Sequence, residues 1–192
     1  ESGATALAYL RGMIEEGSMS EAVSNYTQED ARTQFITGKA AMMINGPWEL
    51  STLTKDAEIE WDVAPLPKDK RAATSMGGEN VVVMNGAKQS AAAVKLAKYL
   101  TSAEGAKIYC DGSGQLSSRP DLQGKLKLSS DPKLKVFEDQ LQYAHARAYG
   151  KDYPKISEAI QLSMQEALTG ASTPEAAAKK AADTMNPLLP KN

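Results

Sequence analysis

The stretch Gly38-Lys39-Ala40-Ala41-Met42-Met43-Ile44-Asn45-Gly46-Pro47-Trp48-Glu49 constrains the fold more than any other part of the chain. A glycine ends a helix, an apolar run follows at 40–45, and a Gly-Pro pair turns the chain into a new helix. The run has no polar alternation, so it reads as a strand covered on both faces. Helix, strand and helix in succession point to an α/β fold. The turn delivers Trp48 to the C-terminal edge of that strand, where α/β folds bind ligands. A flat apolar ring there suits an uncharged, CH-rich ligand such as a sugar ring. It also suits a plain core cap, because tryptophan is mostly buried mass.

The rest of the chain reads as helices divided by short strands. Leu7, Leu10, Met13 and Ile14 predict an amphipathic helix over 4–16, stopped by Gly17. Thr27 with Asp30 resembles a capping box that opens a helix to Thr37. Residues 59–64 predict a second strand, ended by Pro65 and Pro67. Residues 77–84, with Val81-Val82-Val83, predict a third. Helices are expected over 89–100, from a Thr101–Glu104 capping box to about Asp111, from Asp131-Pro132 to Gly150, from Pro154 to Gly170, and from Thr173-Pro174 onward. The fourth of these carries Ile156, Ile160, Met164 and Ala167 inward. Three short strands make a thin sheet for so many helices. That imbalance, with a start at Glu1 and no initiator Met, reads as a processed product or an excised piece of a longer chain.

Composition removes several classes. The 192 residues are 42% hydrophobic but only 6% aromatic, which favours helices over an all-β sandwich. Formal net charge is −2 and the cations are dispersed among acids, so nucleic acid is not an expected partner. One cysteine, Cys110, cannot form an internal disulfide, and with one histidine, His145, it cannot build a Cys/His zinc site. No apolar run approaches the ~20 residues of a membrane span.

Catalytic patterns fail in turn. Gly38-Lys39 lacks the glycine of a phosphate loop, since Thr33 stands five residues before Gly38. Gly77-Gly78 precedes a predicted strand and not a helix. His145, read as mid-helix, has no Gly-x-Ser-x-Gly partner. No acid pair lies in a visibly apolar setting. The sequence therefore predicts no enzyme, no cofactor and no metal. Binding-type residues remain at element ends. Gly77-Gly78-Glu79-Asn80 allows close approach by a ligand or another chain segment. Arg119 ends a polar loop and offers a planar fork to hydroxyls or a carboxylate. Tyr149 and Tyr153 flank Gly150 as rim aromatics or as packing. A helical interaction domain, or a hydrolase or transferase without a recognisable motif, stays open as an alternative.

The motif from Phe35-x-x-Gly38-Lys39-Ala40-Ala41-Met42 through Asn45-Gly46-Pro47-Trp48 resembles the extracellular solute-binding proteins of bacterial ABC importers, in their sugar-binding, maltose-binding-protein-like group. The order of Pro65-Leu66-Pro67, Gly77-Gly78, Ser102-Ala103-Glu104-Gly105, the 114–119 loop and Leu168-Thr169-Gly170 with Thr173-Pro174-Glu175 agrees. The resemblance implies a type II periplasmic-binding fold of two α/β lobes, of which this chain is the helix-rich C-terminal portion with few strands. Residues 1–76 and 131–192 are then the C-terminal lobe. Residues 77–130 cross the hinge into an N-terminal lobe, most of which is absent. Trp48 is implied as the sugar-stacking aromatic, with Gly77, Gly78, Glu79, Asn80, Arg119, Tyr149 and Tyr153 as further ligand contacts. Implied partners are a sugar or oligosaccharide, ABC permease subunits, and the missing lobe or a second copy by strand exchange. The implied location is extracytoplasmic, in the periplasm or lipid-anchored at the cell surface.

Overall fold

The computed structural model describes residues 2–147 and 150–189. Eight α-helices and two short strands carry the regular structure among them: α1 (Ser2–Glu15), α2 (Gln28–Ile36), α3 (Leu50–Asp56), β1 (Thr74–Met76), α4 (Ser90–Leu100), α5 (Ala103–Ser113), α6 (Pro132–Gln140), β2 (Ala144–Ala146), α7 (Tyr153–Leu168) and α8 (Pro174–Met185). The helix ends carry the local chemistry expected of them. Thr27 N–H donates to Asp30 Oδ2 at 2.9 Å, and Asp30 N–H donates to Thr27 Oγ1 at 3.1 Å, a reciprocal box at the start of α2. The Thr27 backbone N–H, and after it the Thr27 hydroxyl donating to Oδ2 at 2.8 Å, hold the Asp30 carboxyl below its usual range. Asp131 Oδ1 accepts from Lys133 N–H at 2.8 Å, and Thr173 Oγ1 from Ala176 N–H at 3.2 Å. The cap of α5 falls on Ser102, one residue after the expected Thr101, and accepts from Gly105 N–H at 3.1 Å.

The chain forms two compact units, Glu1–Ala31 with Ala148–Asn192, and Arg32–Arg147. In the first, Leu7, Ala167 and Ala177 form a dry cluster joining α1, α7 and α8, with Ala178 packed on it. Small residues let these helices approach closely. Arg11 Nη1 donates to the Leu168 carbonyl at 2.6 Å, satisfying an acceptor at the end of α7 that the helix itself leaves open. In the second unit, Cys110, Leu122 and Leu126 cluster under α5, and Leu134 of α6 is 1% exposed. The sheet is one parallel pair, with Thr74 opposite Ala144 and Met76 opposite Ala146.

The strands are where the sequence reading fails. None of the runs 40–45, 59–64 and 77–84 pairs as a strand, and the paired residues lie at 74–76 and 144–146 instead. The 59–64 run does alternate, half-buried at Ile59, Trp61 and Val63 and exposed between, so its period is that of a one-sided strand. The 40–45 run is not covered on both faces, since Met42 is 84% exposed and Ile44 81%. Apolar runs carry strand propensity, but a strand exists only when a neighbour completes its ladder. The helix expected to run from Asp131 to Gly150 ends at Gln140 and passes through a short 3-10 turn, Leu141–Tyr143. His145 therefore lies on β2 and not mid-helix. Ile160 and Met164, expected inward on α7, are exposed.

Candidate functional site

Trp48 lies in a tight turn, the 3-10 helix Pro47–Glu49, which leads directly into α3. Glu49 N–H donates to the Gly46 carbonyl at 3.1 Å and closes it. Pro47 occupies the first helical position, where its missing N–H costs nothing. The indole lies across Gly46: a Cβ built on that glycine would run into the ring itself. Gly46 has an ordinary extended backbone (φ −123°, ψ 174°), so the ring, and not backbone conformation, is what requires glycine here. Trp48 keeps 36% of its surface exposed, while Gly46, Pro47, Glu49 and Leu50 around it are buried. One side of a large ring is thus backed by protein and the residue still reaches solvent.

Behind this turn stands a polar group that sequence reasoning missed. Glu49 is only 4% exposed, and its Oε2 accepts from Arg32 Nη1 of α2 at 3.1 Å. Its Oε1 accepts from Asn45 Nδ2 at 3.5 Å, and Asn45 Oδ1 accepts from Gly46 N–H at 2.9 Å. A buried carboxylate needs such partners, because a bare one is far costlier than a bare amide. The available signal was an acid inside an otherwise apolar Pro-Trp-x-Leu turn.

The 114–119 loop meets the same turn. Gly114 caps α5 in the left-handed region (φ +71°), and a Cβ there would sit 3.3 Å from Trp48 Cα and 3.4 Å from the Pro47 carbonyl oxygen. At the loop's far end Arg119 forks onto Asp121, with Nε–Oδ1 and Nη2–Oδ2 both 2.9 Å, and Nη1 donates to the Thr101 carbonyl at 3.0 Å. The hydrogen bond to Asp121 is the main cause raising the Arg119 pKa, and the same bond lowers that of Asp121. The guanidinium ties this loop to the end of α4.

Gly77, Gly78, Glu79 and Asn80 follow β1 as exposed, irregular chain. The approach that the missing Cβ of Gly77 permits is made by the Arg147 guanidinium, just past β2. Both lie at the C-terminal ends of the two parallel strands, so the structure adds a cation beside the glycine pair. Tyr153 is half-buried at the start of α7, and Tyr149 lies outside the described residues. The second tryptophan, Trp61, holds Lys133 Nζ at 5.0 Å from its ring centroid, while that ammonium is also 3.7 Å from Asp62 Oδ1. A groove of about 330 Å3 runs between α7 and α8, lined by Leu162, Ala177, Ala181 and Leu188, with Glu166 and Lys180 paired at its edge; none of the sequence-predicted site residues lines it. Among the described residues no group of His, Cys, Asp and Glu is arranged to hold a metal ion, and no helix is long and apolar enough to cross a membrane.

The model of the bacterial extracellular solute-binding proteins matches residues 1–136, most of the chain. The chain belongs to that family. A solute-binding protein of an ABC transporter from Thermotoga lettingae, solved with alpha-D-tagatose, is 31% identical and superposes with a TM-score of 0.84 over 98% of this chain and 49% of its own. The maltose-bound MalE3 of T. maritima is 30% identical with a TM-score of 0.81, over 97% of this chain and 50% of its own. A maltooligosaccharide ABC transporter solute-binding lipoprotein of Streptococcus pneumoniae serotype 4 is 29% identical over 103 residues, 52% of this chain and 24% of that protein. The chain therefore spans about half the length of the solved relatives it matches. Its fold is that of the type II periplasmic-binding proteins, in a helix-rich portion with a small sheet.

Proposed function

We propose that this chain is part of the substrate-binding component of an ABC importer, which captures a sugar or oligosaccharide in a cleft between two lobes and does no chemistry on it. The observation that carries the reading is Trp48: an indole backed by Gly46, on a hydrogen-bonded turn, in a residue that keeps about a third of its surface open (36%). Relatives solved with alpha-D-tagatose and with maltose support a carbohydrate as the ligand class. A ring stacked on the indole gains dispersion and apolar burial, while fixed polar groups pair with its hydroxyls. Glu79, Asn80 and Arg119 are the proposed hydroxyl partners, Gly77 and Gly78 admit the ligand closely, and Tyr149 and Tyr153 are proposed rim contacts.

The half-length match supports reading residues 1–76 and 131–192 as one lobe of a longer protein, with 77–130 passing into the other. Val81, Val82 and Met84 expose apolar surface that a further lobe, or a second copy exchanging strands, would cover. Ligand binding then works by selecting the closed form, through contacts made only when the lobes shut. The closed form docks on permease subunits outside the cytoplasmic membrane, in the periplasm or from a lipid anchor. One wall of a cleft buries too little ligand, so this chain alone binds at about millimolar Kd or more weakly.

Titration of the full-length parent and of this chain with a sugar panel, following tryptophan emission and Tm, tests the proposal. Sugar-dependent shifts in the parent that disappear in Trp48→Ala are the expected result. Release of a modified product would replace binding with catalysis. Silence toward every sugar would leave an interaction domain in which Trp48 is only packing.

A further inference from the structure

We propose that Arg32, Glu49 and Asn45 are positioning residues that fix the orientation of the Trp48 ring. The three form one continuous polar chain behind the turn. Arg32 Nη1 reaches Glu49 Oε2 (3.1 Å), Glu49 Oε1 is met by Asn45 Nδ2 (3.5 Å), and Asn45 Oδ1 holds Gly46 N–H (2.9 Å). Gly46 is the surface on which the indole lies. Trp48 itself stands between Gly46 and Glu49 in the closed turn. The polar chain therefore starts at Arg32 of α2, passes through Glu49 next to the ring, and ends at Gly46, the floor of the ring.

A structural role alone does not account for placing a carboxylate at this point. A leucine-like residue of similar volume would fill the same 4%-exposed position without any desolvation cost. What a charge-assisted bond adds is direction: it ties the turn to α2, so the turn cannot roll about the α3 axis. A stacking platform gains from that, because a ring that wanders must be ordered again on each binding event. The value of this for affinity rests on Trp48 being the ligand platform. The positioning claim itself needs no ligand.

The test uses acrylamide quenching of the 192-residue chain, whose two tryptophans can be isolated one at a time. Trp61→Phe leaves Trp48 as the only emitter, and Trp48→Phe leaves Trp61. In the first background Glu49→Ala is expected to raise the Trp48 quenching constant about twofold and to weaken its near-ultraviolet dichroism. Glu49→Gln, which keeps an acceptor for Asn45 but loses the charge facing Arg32, gives a smaller rise. In the second background Trp61 quenching stays unchanged. The proposal is overturned if Trp48 quenching is unmoved in both Glu49 variants, or if Trp61 rises in parallel, which marks general loosening. Should Glu49→Ala fail to fold, the near-isosteric Glu49→Gln decides by the same criterion. A chain that passes this test yet ignores every sugar sinks the carbohydrate reading and leaves the positioning role standing.

Discussion

Residues 45–50 and residues 79–84 start from similar sequence material and end in opposite states. Each opens on two polar or glycine residues and continues into mostly apolar ones, the first with Glu49 among them. In the first, Gly46, Pro47, Glu49 and Leu50 are buried, and backbone and side chains are bonded to one another and to α2. In the second, every residue is exposed, with Val82 at 70% and Met84 at 73%. Hydrophobicity therefore does not by itself create a core. Burial needs a second surface of matching shape, and among the described residues only the first stretch has one.

The contrast can be broken or sharpened by substitution. Leu50→Ala removes a side chain that is 3% exposed and is expected to cost about 3 kcal/mol in urea unfolding. Val82→Ala should change stability by less than about 0.5 kcal/mol. Equal costs would erase the distinction between the two stretches. Gly46→Ala pushes a methyl into the Trp48 ring; a loss of about 1–2 kcal/mol and a red-shifted, more quenchable Trp48 emission are expected. Gly114→Ala imposes a left-handed backbone on alanine and crowds the Pro47-Trp48 turn, for about 1 kcal/mol by the same assay. Gly77→Ala meets only the far end of the flexible Arg147 side chain, so less than about 0.5 kcal/mol is expected.

The smallest effect concerns pH. The Asp111 carboxyl is held below its usual range, first by the Lys107 ammonium and then by the Lys127 backbone N–H. Its folded pKa lies below the unfolded one. The contribution is therefore complete above the ordinary carboxylate range and fades as pH falls through the lowered value. Asp111→Asn should flatten the acid limb of a Tm-versus-pH curve slightly and leave the neutral end nearly parallel to the parent.

Helices were legible because their signals are local. Thr27 with Asp30, Asp131 with Pro132, and Thr173 with Pro174 each sit within a few residues of what they bond, and each caps the helix it was expected to cap. Gly17, Gly38 and Gly170 stop or follow helices with positive φ, as the sequence suggested. The α6 segment shows the limit of that logic. Its 3-and-4 spacing continues to Ala148, but the helix ends at Gln140 because residues 144–146 pair with 74–76, a partner some seventy residues away in the chain. At the site, the tryptophan and its Gly-Pro turn were visible in advance, but whether the ring capped a core or reached solvent was open until the structure showed it exposed. Arg32 behind Glu49, Gly114 beneath Trp48 and Arg147 beside Gly77 were not visible, since each is a contact between segments remote in sequence.

The amino-acid sequence alone determined the helix inventory, the family likeness and the tryptophan on its turn, because caps, turns and periodicity are settled within a few residues. Only the tertiary structure decided which apolar runs became strands, which stayed uncovered, and which distant side chains stand behind the Trp48 turn. Those outcomes depend on surfaces meeting across the chain, and no local spacing encodes a neighbour that far away.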